Sequence, residues 1–241
     1  MGEMKGDKEH WTRVADQWIA WARSPAHDAF WVYRQGLTRF IGKGSGRALE
    51  VGCGEGRVAR DLKALGYRVT VTDVVAEMVE AARQASSADD YAVAGVDDLP
   101  FDDGSFDLVM AYNVLMYVDD VPAAIREIRR VMKPGGTLFI SLVHPFRDRG
   151  RFAGEAADAP FVLDGSYFGR ERFDGEEERD GLTMHFAGWP QPLEDYVSVL
   201  EDAGLAITAL REPIPDRVDS DLLRKWARVP LFLWLKARIL A

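Results

Sequence analysis

Residues 50–56, EVGCGEG, contain three glycines at alternate positions, and the acid Glu50 precedes them. A glycine-rich turn between a strand and a helix leaves backbone N–H groups bare, so a ligand can approach the main chain closely. The glycines are spaced G-x-G-x-G, whereas a dinucleotide site needs G-x-G-x-x-G. Arg57 stands where the third dinucleotide glycine would fall. Glu50, just before the glycines, favours a cationic ligand over a phosphate.

A second acid, Asp73, closes the next predicted strand, at residues 67–73. A carboxylate at the end of that strand can accept both hydroxyls of a ribose. A ligand with a ribose, no phosphate and a cationic amino-acid end is S-adenosylmethionine (SAM). The loop and Asp73 together therefore predict a SAM site. The alternative is a strand–turn–helix whose glycines only permit tight packing.

Alternating strands and helices are predicted to position these residues. The strands fall at 47–51, 67–73, 91–95, 108–112 and 137–145, and the helices between them at 56–65, 75–85 and 121–132. Such alternation is typical of right-handed βαβ units in a parallel sheet. A helix at 192–203, a strand at 205–213 and the apolar stretch LFLWLKARIL follow. The predicted fold is α/β, a Rossmann-like three-layer sandwich with about seven mostly parallel strands and an antiparallel last strand.

Two segments depart from this alternation within the single predicted domain, 1–241. Residues 1–41 read as amphipathic helices at 8–23 and 28–41, and they carry four tryptophans: Trp11, Trp18, Trp21 and Trp31. These helices form either a lid over the ligand or a pair that only seals the domain. Residues 146–190 predict a hairpin-like insertion on the substrate side, with an acidic turn at 176–178. The alternative for the insertion is packing against the domain or a second subunit.

Composition limits the possible partners and the cellular location of the protein. The chain has 241 residues, 47% hydrophobic content and a net charge of −9, which argues against a nucleic-acid partner. No apolar run approaches a membrane span. The single cysteine, Cys53, cannot form an internal disulfide, and the first residues lack the apolar core of a signal peptide. We therefore expect a cytoplasmic monomer or homodimer. No metal site is predicted, because the acidic pairs have no histidine at ligand spacing.

Four ordered motifs resemble those of class I SAM-dependent methyltransferases, in the small-molecule, ubiquinone/menaquinone-biosynthesis-like branch. They read ALEVGCGEGRVARDL, VTVTD, LPFDDGSFDLVMAYNVLMYVDD and VMKPGGTLFISLVHP. The resemblance is strong over 45–145 and looser over 190–240. It implies that SAM is converted to S-adenosylhomocysteine. The cofactor-binding residues it implies, with the predicted lid, are Glu50, Gly52, Cys53, Gly54, Asp73, Val74, Met78, Val96, Asp97, Asp98, Ala111, Tyr112, Met116 and Trp21.

One position departs from the family pattern. The family usually has an Asp just after the third strand, where it reaches the adenine amino group, and this chain has Gly95 there. We therefore expect Asp97, Asp98 or the backbone near Val96 to replace that contact.

The catalytic candidates are Tyr112, His144 and His185. Ligands of open α/β sheets bind at the carboxyl ends of the strands, where Tyr112 and His144 are predicted to lie. A histidine titrates near neutral pH and suits a general base. We predict methyl transfer to an oxygen or nitrogen atom of a small molecule. Open alternatives are C-methylation of a small aromatic or quinone-like substrate, a non-catalytic SAM-binding protein and a nicotinamide-dependent oxidoreductase.

Overall fold

A seven-stranded sheet forms the centre of the molecule in the computed structural model, which describes residues 7–25 and 27–240. Its strands are β1 (Arg47–Val51), β2 (Arg68–Asp73), β3 (Asp90–Val93), β4 (Phe106–Tyr112), β5 (Met132–Val143), β10 (Leu205–Arg211) and β11 (Phe232–Ile239). Their order in the sheet is β10-β11-β5-β4-β1-β2-β3. Only β11 runs antiparallel to its neighbours, β10 and β5. This arrangement confirms the predicted fold class.

Helices cover both faces of this sheet. One apolar core lies between the sheet and the helices α6 (Val121–Val131) and α7 (Leu193–Asp202). The other lies against α3 (Phe30–Ile41), α4 (Arg57–Ala64) and α5 (Ala76–Gln84). Strands β1 and β2 are buried along nearly their whole length, as expected for central strands of a parallel sheet covered by helices on both faces.

The N-terminal segment differs from its prediction. The helix predicted over 8–23 is two helices, α1 (Asp7–Arg13) and α2 (Ala15–Arg23), interrupted at Val14. Arg23 at the end of α2 pairs with Glu55 of the glycine loop at 3.4 Å. This buried carboxylate therefore ties α2 to the loop. Residues 1–6, Ala26 and Ala241 of the predicted domain lie outside the described residues.

The insertion contains two small hairpins. Strands β6 (Gly150–Phe152) and β7 (Phe161–Leu163) form one, and β8 (Phe173–Arg179) and β9 (Leu182–Gly188) form the other. The acidic turn predicted at 176–178 is wrong, since these residues belong to β8. The turn is Asp180–Gly181, and both residues have positive φ. An Asp-Gly pair is favoured in such tight hairpins.

One short helix escaped prediction. Helix α8 (Asp221–Trp226) begins after Ser220, whose hydroxyl accepts the Leu223 N–H at 3.3 Å. This N-cap was the available sequence signal. In the described part of the chain, no helix combines the length and the apolarity needed to cross a membrane.

Candidate functional site

A cavity of about 720 Å³ lies at the carboxyl ends of β1, β2 and β4. Its size is typical of small-molecule sites. Helices α1 and α2 and the β8–β9 hairpin contribute to its walls. It brings together eleven of the residues predicted to bind the cofactor: Trp21, Glu50, Gly52, Cys53, Gly54, Asp73, Val74, Met78, Val96, Tyr112 and Met116.

The glycine loop passes too close to its neighbours for side chains. A Cβ at Gly52 would lie 2.3 Å from Cγ2 of Val114, and one at Gly54 would lie 2.8 Å from Nε1 of Trp18. Both glycines also have positive φ. The loop is therefore bare because Val114, in the segment after β4, and Trp18 of helix α2 press against it.

Asp73 connects β2 to this loop. Its Oδ2 accepts the Gly54 N–H at 2.9 Å and its Oδ1 accepts the Val75 N–H at 3.0 Å. Burial nevertheless raises the pKa of Asp73 to about 6. Each carboxylate oxygen keeps a lone pair, so the group can still accept hydrogen bonds from a ligand.

Glu50 is the other buried acid of the loop, with only 2% of its surface exposed. Its Oε2 finds no hydrogen-bond partner among the described residues. Burial raises the pKa of this carboxyl well above its usual range. A buried carboxylate oxygen without a partner is costly, which points to a cationic or hydrogen-donating ligand beside it.

Cys53 packs as a small apolar residue. It is 4% exposed, and burial with the nearby Asp73 and Glu50 carboxylates raises the pKa of its thiol well above the usual range. The thiolate needed for nucleophilic attack is therefore disfavoured.

Unsatisfied polar atoms gather around the cavity. Over residues 7–25 and 27–240, nine buried side-chain nitrogen and oxygen atoms have no hydrogen-bond partner. Five of the nine belong to the cavity-lining residues His27, Tyr33, Glu50 and Tyr112, and a sixth, Nη1 of Arg57, has only its ion-pair contact with Asp28. Since buried polar groups are almost always paired in native proteins, this concentration indicates that a polar ligand completes the site.

Five predicted site residues do not line the cavity. His144 directs Nε2 to Oε1 of Glu212 at 3.1 Å, while Val143 before it takes the cavity-facing position. His185 bonds Asp174 at 2.5 Å, and its neighbour Phe186 faces the cavity. Both outcomes follow from the alternation of side chains along a strand. The remaining three are Asp97, Asp98 and Ala111.

Asp97 has a specific relationship to the unusual glycine. Its Oδ1 lies 2.6 Å from the position that a Cβ on Gly95 would occupy. The glycine therefore makes room for the Asp97 carboxylate at the end of β3, beside cavity-lining Val96.

Sequence reasoning assigned no role to two buried polar side chains of the cavity, Arg57 and His27. Arg57 is 7% exposed, and its Nη1 lies 2.9 Å from Oδ1 of Asp28. Its guanidinium stacks 4.7 Å above the Phe30 ring. His27 is 6% exposed, stacks on Trp21 with ring centroids 5.1 Å apart, and has Nε2 3.4 Å from Oδ2 of Asp180. Only the position of Arg57 directly after the glycine loop could have indicated either group.

Comparison with known proteins agrees with this geometry. Residues 49–140 match the family model described as "Methyltransferase domain". This segment is therefore similar in sequence to methyltransferase domains. A ubiquinone biosynthesis O-methyltransferase of Xanthomonas oryzae pv. oryzae is 38% identical over 121 residues, covering 48% of this chain and 50% of the relative. A malonyl-[acyl-carrier protein] O-methyltransferase of Erwinia pyrifoliae is 38% identical over 95 residues, covering 39% and 36%.

The similarity to these curated relatives spans about half of their length or less. A solved structure extends the likeness beyond residues 49–140. An S-adenosylmethionine dependent methyltransferase of Mesorhizobium loti superimposes with a TM-score of 0.69 at 24% identity, covering 89% of this chain and all of that one. This likeness shows that the fold is shared. Residues 49–140 contain β2, β4 and the second half of β1, whose carboxyl ends border the cavity.

Proposed function

We propose that the protein is a SAM-dependent methyltransferase that transfers a methyl group to an oxygen or nitrogen atom of a small molecule. The observation that carries the proposal is the unpartnered Oε2 of Glu50, buried beside a bare glycine loop. An ammonium group is the ligand that such an oxygen needs, and a dinucleotide phosphate is the ligand that it repels.

The remaining polar groups fit the other parts of SAM. Asp73 keeps lone pairs for the ribose hydroxyls at the end of β2. Arg57 lies in the same cavity as Glu50 and pairs with Asp28 through Nη1, so its remaining N–H groups can donate to the carboxylate of the amino-acid end while Glu50 accepts from the ammonium. At the adenine end, Asp97 is the nearest carboxylate to Gly95. These residues supply a hydrogen-bonding partner for each polar part of the cofactor.

When bound, SAM supplies an activated methyl group on a sulfonium. The chain's own contribution is to exclude water and to orient the acceptor. Three tryptophans, Trp11, Trp18 and Trp21, line the cavity from α1 and α2. Their faces attract a cation, which favours the sulfonium. Their place in the cavity lining supports the proposal that α1 and α2 act as a lid.

His27 is the group we assign to take the proton from the acceptor. It lines the cavity, and neither ring nitrogen makes a hydrogen bond within the described part of the chain. Asp180 lies near enough to stabilise the imidazolium that would form. The sequence-based candidate His144 is committed to Glu212 outside the cavity lining.

The relatives support the acceptor class. Both curated relatives are named as O-methyltransferases, so C-methylation and a non-catalytic role are less favoured. The lone cysteine, buried as a free thiol, supports the cytoplasmic location expected from the sequence.

Calorimetric titration with SAM, S-adenosylhomocysteine and NADH tests the cofactor. We expect micromolar binding of the first two and none of NADH. Glu50→Gln should weaken SAM binding by at least about tenfold, since a charge-assisted hydrogen bond is lost. Glu9→Gln, on the exposed surface of α1, is the control. NADH binding, or equal SAM binding by Glu50→Gln, would refute the proposal.

A further inference from the structure

Two tyrosine hydroxyls of the cavity are unsatisfied, and none of the cofactor contacts proposed above uses them. Tyr33 of α3 is 1% exposed and Tyr112 at the end of β4 is 7% exposed. Both residues line the cavity, and neither Oη has a hydrogen-bond partner in the described part of the chain. Buried phenols normally find a partner. The missing partner is therefore a group that a second ligand would bring.

Aromatic rings surround these hydroxyls. The Tyr33 and Phe232 rings meet edge to face at 5.0 Å, and the Tyr112 ring meets Phe30 at 5.8 Å. Phe232 also contacts Tyr112, with centroids 6.5 Å apart. The two tyrosines thus share one wall, built from α3, β4 and the start of β11. Flat apolar walls of this kind suit a planar molecule.

The charges nearest to the hydroxyls are already compensated. Burial is the main cause that raises the pKa of Tyr112 above its usual range, and Arg57, Asp28 and Asp61 act on it electrostatically. Arg57 pairs with Asp28 at 2.9 Å, and Asp61 accepts the Arg34 Nε–H at 2.9 Å. These pairs leave no spare counter-charge for an ionic acceptor at this wall.

The carboxylate that acts on Tyr33 is likewise occupied. Burial raises the pKa of Tyr33 above its usual range, and Asp216 adds to this effect. Asp216 accepts the backbone N–H groups of Gln35 and Gly36 at 2.8 and 2.9 Å. Both phenols therefore stay neutral at physiological pH and serve as hydrogen-bonding groups rather than bases.

We propose that Tyr33 and Tyr112 form the acceptor subsite and select an uncharged planar molecule whose hydroxyl or carbonyl oxygen hydrogen-bonds to their hydroxyls. This inference rests on the proposed methyltransferase function and names the class of its substrate. Within that class, specificity comes from the two phenols, and the aromatic wall sets the orientation of the ring.

Four one-ring probes of similar size test the subsite: phenol, toluene, benzoate and benzylamine. Their affinities are measured by NMR titration of the full chain, with and without saturating S-adenosylhomocysteine. We expect phenol to bind about tenfold more tightly than each of the others, since only phenol supplies the neutral oxygen. Tyr33→Phe and Tyr112→Phe should each weaken phenol binding by a similar factor. Tyr196→Phe, a buried tyrosine of α7 outside the cavity, should not.

Thermal unfolding of the ligand-free variants separates binding from structure. Because neither hydroxyl makes a hydrogen bond within the protein, Tyr33→Phe and Tyr112→Phe should unfold at or above the wild-type temperature. Tighter binding of toluene, benzoate or benzylamine, unchanged phenol binding by both variants, or no phenol binding at all would overturn the subsite. Failure of S-adenosylhomocysteine to bind the wild type would instead refute the methyltransferase proposal.

Discussion

The Asp73 carboxylate accepts the backbone N–H of Gly54 at 2.9 Å and so joins the end of β2 to the glycine loop after β1. The same carboxylate is the proposed acceptor for the ribose hydroxyls. Removing the side chain would therefore disturb the loop and the ligand contact together. Asp73→Asn is a sharper test than Asp73→Ala, because it keeps the size of the side chain.

We predict that SAM affinity falls by about tenfold between pH 7.5 and pH 5, because Asp73 has a pKa of about 6 and only its ionised form accepts at both oxygens. Asp73→Asn should bind weakly and lose most of this pH dependence. Asp90→Asn, an exposed acid on β3, should keep it. Calorimetry across this pH range measures the effect, and a flat wild-type profile would contradict it.

The raised pKa of Asp73 also determines the direction in which the free energy of unfolding changes with pH. Burial raises the pKa of Asp73 from 3.8, so the folded ligand-free protein holds this proton more tightly than the unfolded chain does. The stability that Asp73 contributes is fully present below pH 4 and is lost as the pH rises through 6. Bound SAM should offset this loss.

Glu50→Gln is predicted to weaken SAM binding and to raise the unfolding free energy of the ligand-free protein. Burial raises the pKa of Glu50 well above its usual range, so its contribution to stability is lost as the pH rises through that value. Glutamine has no such loss. We therefore expect the ligand-free variant to gain about 1 kcal/mol in unfolding free energy at high pH. Urea unfolding at several pH values measures this.

Glu127→Gln is the control of opposite sign. The Arg130 guanidinium holds the pKa of Glu127 below its usual range, so the stability from this carboxylate is present above its unfolded pKa and lost on acidification. Its glutamine variant should be less stable than the wild type at neutral pH. A loss of stability in Glu50→Gln at high pH would mean that its carboxylate has a partner.

Two glycines with positive φ should respond differently to alanine. Gly52→Ala places a Cβ 2.3 Å from Val114, whereas Gly42→Ala at the end of α3 meets nothing within 4 Å. Both substitutions place an alanine at a positive φ, which costs about 1 kcal/mol. Only Gly52→Ala adds a clash, which costs roughly 1–3 kcal/mol more. Thermal unfolding and SAM titration should show the larger loss, and the loss of affinity, for Gly52→Ala alone.

His27→Gln is predicted to lower kcat by about 100-fold while leaving SAM affinity nearly unchanged, as expected for loss of a general base. His144→Gln should keep most of the turnover, because that side chain faces Glu212 rather than the cavity. Single-turnover methyl transfer to an acceptor found by screening measures both. The opposite ranking would return the role of base to His144.

Local sequence patterns predicted the part of the candidate site that lies at the carboxyl ends of the sheet strands. Glu50 lies in β1, the glycines follow that strand directly and Asp73 ends β2, so their positions depend only on β1, β2 and the turn between β1 and α4. The fold class was predictable for the same reason. The acceptor side was not, because it depends on contacts between distant parts of the chain. Tyr33, for example, meets Phe232, which lies in the last strand.

The N-terminal helices show the same limit. Periodicity predicts their amphipathic character but not how deeply each is buried. Phe30 and Leu37 of α3 belong to the core against the main sheet, whereas Trp21 of α2 packs in a separate cluster with Met184 of the β8–β9 hairpin, so α1 and α2 are the candidates for a lid. A truncation that tests the lid should therefore end before α3.

The β8–β9 hairpin pairs with no strand of the main sheet. Alternate residues of β8, Phe173, Glu177 and Arg179, nevertheless line the cavity. Substitutions at these positions would reshape the binding surface while the seven-stranded register stays untouched. The hairpin can therefore be exchanged with little effect on the main sheet. Acceptor preference can diverge in this way during evolution, or be redesigned.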